Sequence, residues 1–533
     1  MIKTQIDYSQ PARTRIAPSP TGELGLHHLR QMLYDYALAK KTGGQFIFRI
    51  ENTDQKRYVE GSAERMMDLT EEYGFHWDEG MRVGGEYEPY DQLSRVQAGM
   101  YSKEYDWLLE DGKVYRCFCT AEELEAKRQI AKEQKKQFMY DKTCRNLTQE
   151  KIQEKLDQNL PFTIRIKIPD NEVIEFHDLL RGKMSWKSQD VDDYILVKSD
   201  GVPTYHGAVV IDDYQMKITH VIRAAEWIPT TPVYIILARY LGYDLPMIIH
   251  PSVLLNPVGP GKMSKRKNGD LVFARSYIDK GYPPIAILNF LMYLGWSHPD
   301  EKVNILSLED FCKAFVLERL QPQPSKVDFE KIDWYGGQYI RAMKPDKLFA
   351  NIESWLSKIQ NEELKNSASV WQDRIKTSPE FAQKIVNLLQ ERLRKYSELF
   401  EFGEFFYSRA VTDLIDWEKT KHNQDECLGA LPGLKKTLEL VLSESNNVGD
   451  RNGSIMLSFE ELKDKIGYEN MTNWIQGIWE KSIREYSEIC GWKAGDMFML
   501  LRLVIVGSPF SPNLLECMNL IGAEECLQRM EVG

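Results

Sequence analysis

Residues 13 to 51 spell one strand–helix–strand unit, and no other stretch of the chain restricts the fold so tightly. Arg13 to Ala17 has the pattern of a short strand, and Pro18-Ser19-Pro20-Thr21-Gly22 is turn chemistry. Leu26, Leu29, Leu33 and Tyr36 then recur at helical spacing until Gly43-Gly44 stops the helix. Phe46, Phe48 and Ile50 alternate as in a strand that ends at Glu51. Two strands joined through a helix lie parallel, with a right-handed crossover, and begin a doubly wound α/β domain. Ligands of such domains bind beyond the carboxyl ends of the strands, where Ser19 and Glu51 stand.

The rest of the 533 residues divides by pattern. From about Tyr87 to Asp192, charged helix and short strands, Phe162 to Ile168 among them, read as an insertion into the α/β domain. The α/β rhythm resumes with Tyr194 to Val197, Gly207 to Ile211 and Ile218 to Arg223. Pro284 to Gly295 and Leu308 to Phe315 read as helices. Beyond about Arg341 helical periodicity takes over, as in Ile385, Leu388, Leu389, Leu393, Tyr396 and Leu399. A final helix is expected from Ser511-Pro512, with Ser as N-cap, to about Gly522.

A net charge of −11 argues against nonspecific coating of nucleic acid, although a local basic surface can still hold RNA. The amino terminus has no signal-peptide core, and no apolar run approaches the ~18 residues that span a bilayer. Eight cysteines are too sparse for a disulfide scaffold. A cytoplasmic monomer without membrane contact is the expectation.

Gly261-Lys262-Met263-Ser264-Lys265-Arg266-Lys267 packs four cations and a hydroxyl into seven residues, flanked by glycine. Such a run reads either as a solvated face or as a mobile basic loop for a polyphosphate, with lysines as point charges. The motifs around it decide between these. Arg15-Ile16-Ala17-Pro18-Ser19-Pro20-Thr21-Gly22-Glu23-Leu24 precedes a His-containing tetrapeptide at a helix start, and Phe48-Arg49-Ile50-Glu51-Asn52-Thr53-Asp54 follows. Then come Ser199-Asp200-Gly201-Val202-Pro203-Thr204-Tyr205-His206, Thr219-His220-Val221-Ile222-Arg223-Ala224-Ala225-Glu226-Trp227, Phe329-Glu330-Lys331-Ile332-Asp333-Trp334 and Gly337-Gln338-Tyr339-Ile340-Arg341. In this order they resemble the class I glutamyl-tRNA synthetases from about residue 13 to 345 and, more weakly, to the carboxyl terminus.

The resemblance implies a Rossmann-type doubly wound catalytic domain (10–86 and 193–260) with an inserted acceptor-end-binding domain (87–192). A lysine-loop and stem-contact helical region (261–345) and an all-α anticodon-binding domain (346–533) follow. It implies activation of glutamate by MgATP and esterification of the 3′ end of tRNA(Glu). Arg15, Ala17, Ser19, Glu51, Tyr205 and Arg223 would bind glutamate, the arginines facing its side-chain carboxylate and Glu51 its ammonium. Thr21, Gly22, Gly25, His27, His28, Glu226, Lys262, Ser264 and Lys265 would bind ATP, with His28, Lys262 and Lys265 catalytic.

The chain departs from the family at its first signature. Gly25-Leu26-His27-His28 stands where His-(Ile, Val or Leu)-Gly-(His, Gly or Asn) is usual, as though the first and third residues had changed places. Loss of one transition-state donor costs ~10²- to 10³-fold, so a slowed activation step is expected, with a local register shift at the helix start as the milder reading. Asn52 replaces the usual Asp, and Ala225 the usual acid beside Glu226.

Within the insertion, Cys117, Cys119, Tyr140 and Cys144 offer three thiolates and an oxygen for a structural zinc, where some family members carry the metal, or are ordinary reduced cysteines. Arg392, Arg394 and Lys395 run along a helical pattern near Phe402, Phe405, Phe406 and Tyr407, rings for base stacking or for core. Two alternatives remain at this point: a noncatalytic tRNA-binding protein on a synthetase body, favoured by the altered signature, and a glutamyl-queuosine tRNA synthetase-like enzyme. The second lacks so long a helical tail.

Overall fold

The computed structural model describes residues 6–409, 415–445 and 468–531. Strand β1 (Arg13–Ile16), helix α1 (Leu26–Thr42) and strand β2 (Gln45–Phe48) form the expected unit, with Gly43 closing the helix in the left-handed conformation. Phe46, Ile47 and Phe48 are all buried, so β2 is covered on both faces and does not alternate. Parallel strands under helices behave in this way. Helix α2 (Ser62–Glu72) leads to β3 (Glu79–Gly80), and the sheet runs β1–β2–β3.

The insertion supplies β4 (Val114–Cys117), β5 (Thr163–Ile166) and the hairpin β6 (Val173–Asp178)–β7 (Gly182–Lys187). Strand β8 (Ile195–Val197), expected to resume the α/β domain, pairs antiparallel with β5 in the insertion's sheet. Helix α3 (Tyr205–Gln215), β9 (His220–Ile222), α4 (Thr231–Leu241) and β10 (Met247–Ile249) then return to the α/β layer. β9 and β10 are parallel, and Thr219 N–H donates to the Arg13 carbonyl at 3.0 Å, which sets β9 beside β1. The chain therefore winds one way from β1 through β2 to β3 and the other way through β9 to β10. The crevice between the ends of β1 and β9 is the switch point of a doubly wound sheet.

Two compact units emerge: 1–278 with 284–335, and 279–283 with 336–533. Helix Phe329–Ala342 straddles the division, so the second unit starts before residue 346. That unit is helical throughout its described residues and is built around Trp371, Ile385, Leu389, Leu500 and Met518. Two details differ from the sequence reading. Helix Pro379–Leu389 stops before Leu393, and residues 390–397 turn, so Arg392, Arg394 and Lys395 lie on a turn. The helix expected from Ser511 begins at Leu514 under Asn513, whose side chain accepts from the Leu515 and Glu516 N–H groups, and Ala523–Arg529 adds another helix beyond it.

Candidate active site at the switch point

A buried charge network underlies the crevice. Arg15 donates to Asp213 through Nε at 3.1 Å and Nη2 at 3.4 Å. Arg49, also sealed from solvent, reaches Asp213 at 2.9 Å and Glu51 at 3.2 Å. Tyr234 donates its hydroxyl to the same Asp213 at 3.2 Å. Neighbouring Asp212 accepts from Gln92, Arg95 and Tyr101 at 2.7 to 2.8 Å. Arg15 and Glu51, a pair one might expect to join each other, thus each find a different partner. Burial, opposed by Arg49 and Arg15, pushes the Glu51 carboxyl up to about 7. Tyr205 lies within the field of Arg223, Glu51, Arg15 and Asp213 and packs its ring 4.3 Å from that of Trp227.

Arg223, at the end of β9, is buried too, but it forms no ion pair among the described residues. Its Nε donates to His250 Nε2 at 3.1 Å and its Nη2 to Thr231 Oγ1 at 3.0 Å. It lines a small cavity with His27, Tyr34 and Lys262. Ala17 is half-buried at the end of β1, and Ser19 and Thr21 are exposed on the turn.

The altered signature forms the start of α1. Gly25 is its N-cap, and its N–H donates to His28 Nδ1 at 3.3 Å, which leaves the ring's proton on Nε2. Burial, opposed by Glu226 and helped by Lys262, holds His28 down to about 4, so the ring is neutral at pH 7. Burial also lowers His27, with His28 and Lys262 adding to the effect. The His27 ring folds back over Gly25: its Cε1 and Nδ1 lie 2.8 Å from where a β-carbon at 25 would stand. The exchanged motif therefore places an imidazole in the space that a residue-25 side chain would enter. Asn52 also has a local reason. Its amide donates to Asp91 at 3.1 Å and accepts from Leu93 N–H at 2.9 Å, a double duty that Asp cannot perform. Ala225 has no side-chain partner that explains its place.

The lysine loop contains a single helical turn, Lys265–Asn268, and so is not irregular throughout. Lys262 forms an ion pair with Glu226, Lys265 lies 5.2 Å from the Phe273 ring centre, and Lys267 donates to the Pro260 carbonyl at 2.9 Å. Ser264 is half-buried, and its N–H donates to Asn268. Sequence reasoning missed Arg49, Asp212, Asp213, Asp178 and His250. The adjacent acids Asp212-Asp213 inside the apolar run of α3 were the available signal.

In the insertion, the donor atoms of Cys117, Cys119 and Cys144 all lie within 4.8 Å of one another. Cys119 and Cys144 sulfurs are 3.7 Å apart, and Tyr140 Oη is 3.3 Å from Cys117 and 3.5 Å from Cys119. A tetrahedron with ~2.3 Å metal–sulfur bonds has edges of this length, and a disulfide would need the sulfurs much closer. Hydrogen bonds from Cys144 and Tyr140, against burial, lower the Cys117 thiol, while the same contact with Cys117, together with burial, raises Cys144. The cluster therefore holds one thiolate by itself, and a metal would have to displace the remaining protons. The donor set fits zinc.

Residues 11–334 match the catalytic-domain family described as tRNA synthetases class I (E and Q), and residues 459–533 match an anticodon binding domain. Glutamate–tRNA ligase of Treponema denticola is 33% identical over 531 residues, covering 97% of this chain and 98% of the relative. That of Prosthecochloris aestuarii is 36% identical over 528 residues, covering 98% and 97%. The crystal structure of a glutamate tRNA ligase from Elizabethkingia meningosepticum, in complex with its amino acid, superimposes with a TM-score of 0.77 at 31% identity, covering 98% of both chains. Coverage of the helical tail as well as the catalytic body does not favour the shorter queuosine-type enzyme or a noncatalytic relict. With its switch-point crevice, lysine loop and helical carboxyl-terminal unit, the chain belongs to the class I tRNA synthetases of the E and Q family.

Proposed function

We propose that this protein is a glutamate–tRNA ligase. Glutamate's α-carboxylate attacks the α-phosphorus of ATP, pyrophosphate leaves, and a ribose hydroxyl at the 3′ end of tRNA(Glu) then takes the glutamyl group and releases AMP. The observation that carries this reading is Arg223, a buried cation at the switch point whose described hydrogen-bond partners are neutral. It takes the side-chain carboxylate, and Glu51 at the end of β2 takes the ammonium. Arg15 stiffens the floor, while Ala17, Ser19 and Tyr205 line the wall. Magnesium arrives with ATP as part of the substrate.

The phosphates lie at the amino terminus of α1, where the helix dipole favours anions, with Thr21, Gly22, Gly25 and His27 around them. His28 offers its Nε2–H as a neutral donor. Lys262 must leave Glu226, and Lys265 the Phe273 ring, to reach pyrophosphate as its charge develops. Ser264 lies between the two lysines in that loop.

ATP–pyrophosphate exchange with glutamate and tRNA present tests the reading: a turnover in the ~1–10³ s⁻¹ range of ordinary enzymes is expected, and RNA binding without exchange overturns it. The same assay examines the altered signature. Gly25→His alone collides with the His27 ring and lowers exchange, whereas Gly25→His with His27→Gly stays within about tenfold of the wild type. A gain of ~10²-fold or more in the double variant would identify the motif as the brake that the sequence suggests.

The zinc reading extends to Cys117, Cys119, Tyr140 and Cys144, whose metal would fix the insertion's fold. Protein purified without chelator should carry about one zinc per chain, and a content near zero rules the site out. In the second unit, Arg392, Arg394 and Arg409 line a cleft of about 610 Å³ with Phe402, Phe405 and Phe510. Phe510 is 79% exposed, whereas Phe405 and Phe406 are buried and belong to the core. Arg394 and Arg409 are ion-paired with Glu398 and Glu525, so Arg392 beside the open Phe510 ring is the group suited to unstacked anticodon bases.

A further inference from the structure

The buried hydrogen bonds behind Arg223 point to a device that orients it without neutralising it. His250 has no exposed surface, and its Nδ1 lies 2.7 Å from Asp178 Oδ2, which also accepts the His250 backbone N–H at 3.1 Å. Because Nε2 accepts from Arg223, the neutral ring carries its proton on Nδ1 and donates it to Asp178. Burial, opposed by Asp178 and reinforced by Arg223, holds the ring down to about 4, so it is uncharged at pH 7. Arg223's other partner, Thr231, donates its own hydrogen to the Trp227 carbonyl at 3.1 Å, so it too receives from the guanidinium without a charge. Asp178 is fixed in turn: its other oxygen accepts from the Leu180 and Arg181 N–H groups at 2.8 and 2.9 Å.

Resting on the glutamate reading above, we infer that Asp178 and His250 form a positioning relay that orients Arg223 while leaving its charge for the substrate, and so favours a side-chain carboxylate over an amide. The carboxylate sets the tautomer of the imidazole, and the imidazole sets the plane of the guanidinium. A carboxylate placed directly on Arg223 would also orient it, but would neutralise it. Glutamine would then compete on nearly equal terms with glutamate. The interposed imidazole keeps the negative charge one residue back. Neither Asp178 nor His250 needs to touch substrate, so both are positioning residues.

The test is ATP–pyrophosphate exchange by the full-length protein with tRNA present, comparing glutamate with glutamine in His250→Leu, His250→Gln and Asp178→Asn. The first and last changes should raise KM for glutamate about 10- to 100-fold, leave kcat and the KM for ATP within about threefold, and narrow the preference for glutamate. His250→Gln, whose amide can donate to Asp178 and accept from Arg223, should keep most of the wild-type KM. Should His250→Leu fail to fold, the contrast between Asp178→Asn and His250→Gln decides. Folded variants with an unmoved glutamate KM and an unmoved preference overturn the relay, even if their Tm falls, because the pair would then serve packing alone. A wild type inactive with glutamate overturns the ligase reading and the relay together. An active wild type with unmoved variants sinks only the relay.

Discussion

Arg15 and Arg223 are both arginines sealed from water at the same crevice, yet they are held in opposite ways. Arg15 lies against a carboxylate that it shares with Arg49. Arg223 lies against an imidazole and a hydroxyl. A guanidinium already paired has spent most of its attraction for another anion, while one held by neutral acceptors keeps its field in a low-dielectric site. The same residue type therefore builds the floor in one place and, in the function proposed, is left open to a substrate anion in the other. Electrostatic role is set by what stands behind a side chain.

The contrast can be broken, and the largest effect should come from Arg223→Gln. It should lower kcat/KM for glutamate about 10²- to 10³-fold with little change in Tm; a loss below tenfold would erase the distinction between the two arginines. Arg15→Met should show the reverse balance. It leaves Asp213 with Arg49 as its remaining cation and should cost about 3 kcal/mol of stability in denaturant unfolding, with Asp213→Asn in the same chain recovering much of the loss. If Arg15→Met instead folds normally and fails to bind glutamate, Arg15 is a binding arginine after all.

The smallest effect sharpens the comparison through Glu51, which feels Arg15 and its neighbour Arg49. Its carboxyl is raised from 4.5 to about 7 by burial, against the pull of Arg49 and Arg15. Between those values the folded protein holds a proton that the unfolded chain has lost. Stability from this group is therefore full below 4.5 and declines as pH rises to about 7. Glu51→Gln should flatten that part of the profile. On the role proposed for Glu51, the ionised form in the free enzyme takes the substrate's ammonium, so kcat/KM for glutamate should climb through about pH 7. A flat profile there would detach Glu51 from the site.

Much of this architecture was legible because period and punctuation agree in residues 13–51: apolar residues at helical spacing, Gly43 as a stop, and turn residues before the helix. The lysine loop and the cysteine set were legible as local clusters. Illegible were interactions between residues far apart in the chain, such as Arg15 with Asp213, Arg95 with Asp212, and Asp178 with His250. Nothing in local spacing marks which buried charge meets which. The run through Leu393 and Leu399 shows the opposite failure, a helical period maintained across a turn because both flanks face one core. Asn513 took the cap from Ser511 for a similarly local reason, as its longer side chain reaches two N–H groups.

The hairpin β6–β7 belongs to the inserted segment, but the last residue of its first strand, Asp178, is the carboxylate on His250 next to β10. That wiring limits engineering. Exchanging the insertion, as one would swap a cassette, for a segment without this carboxylate would remove the anchor of the imidazole that holds Arg223. A working chimera has to carry Asp178 and its Leu180–Arg181 turn along with the catalytic body, so the useful cut points lie inside the insertion, short of this hairpin.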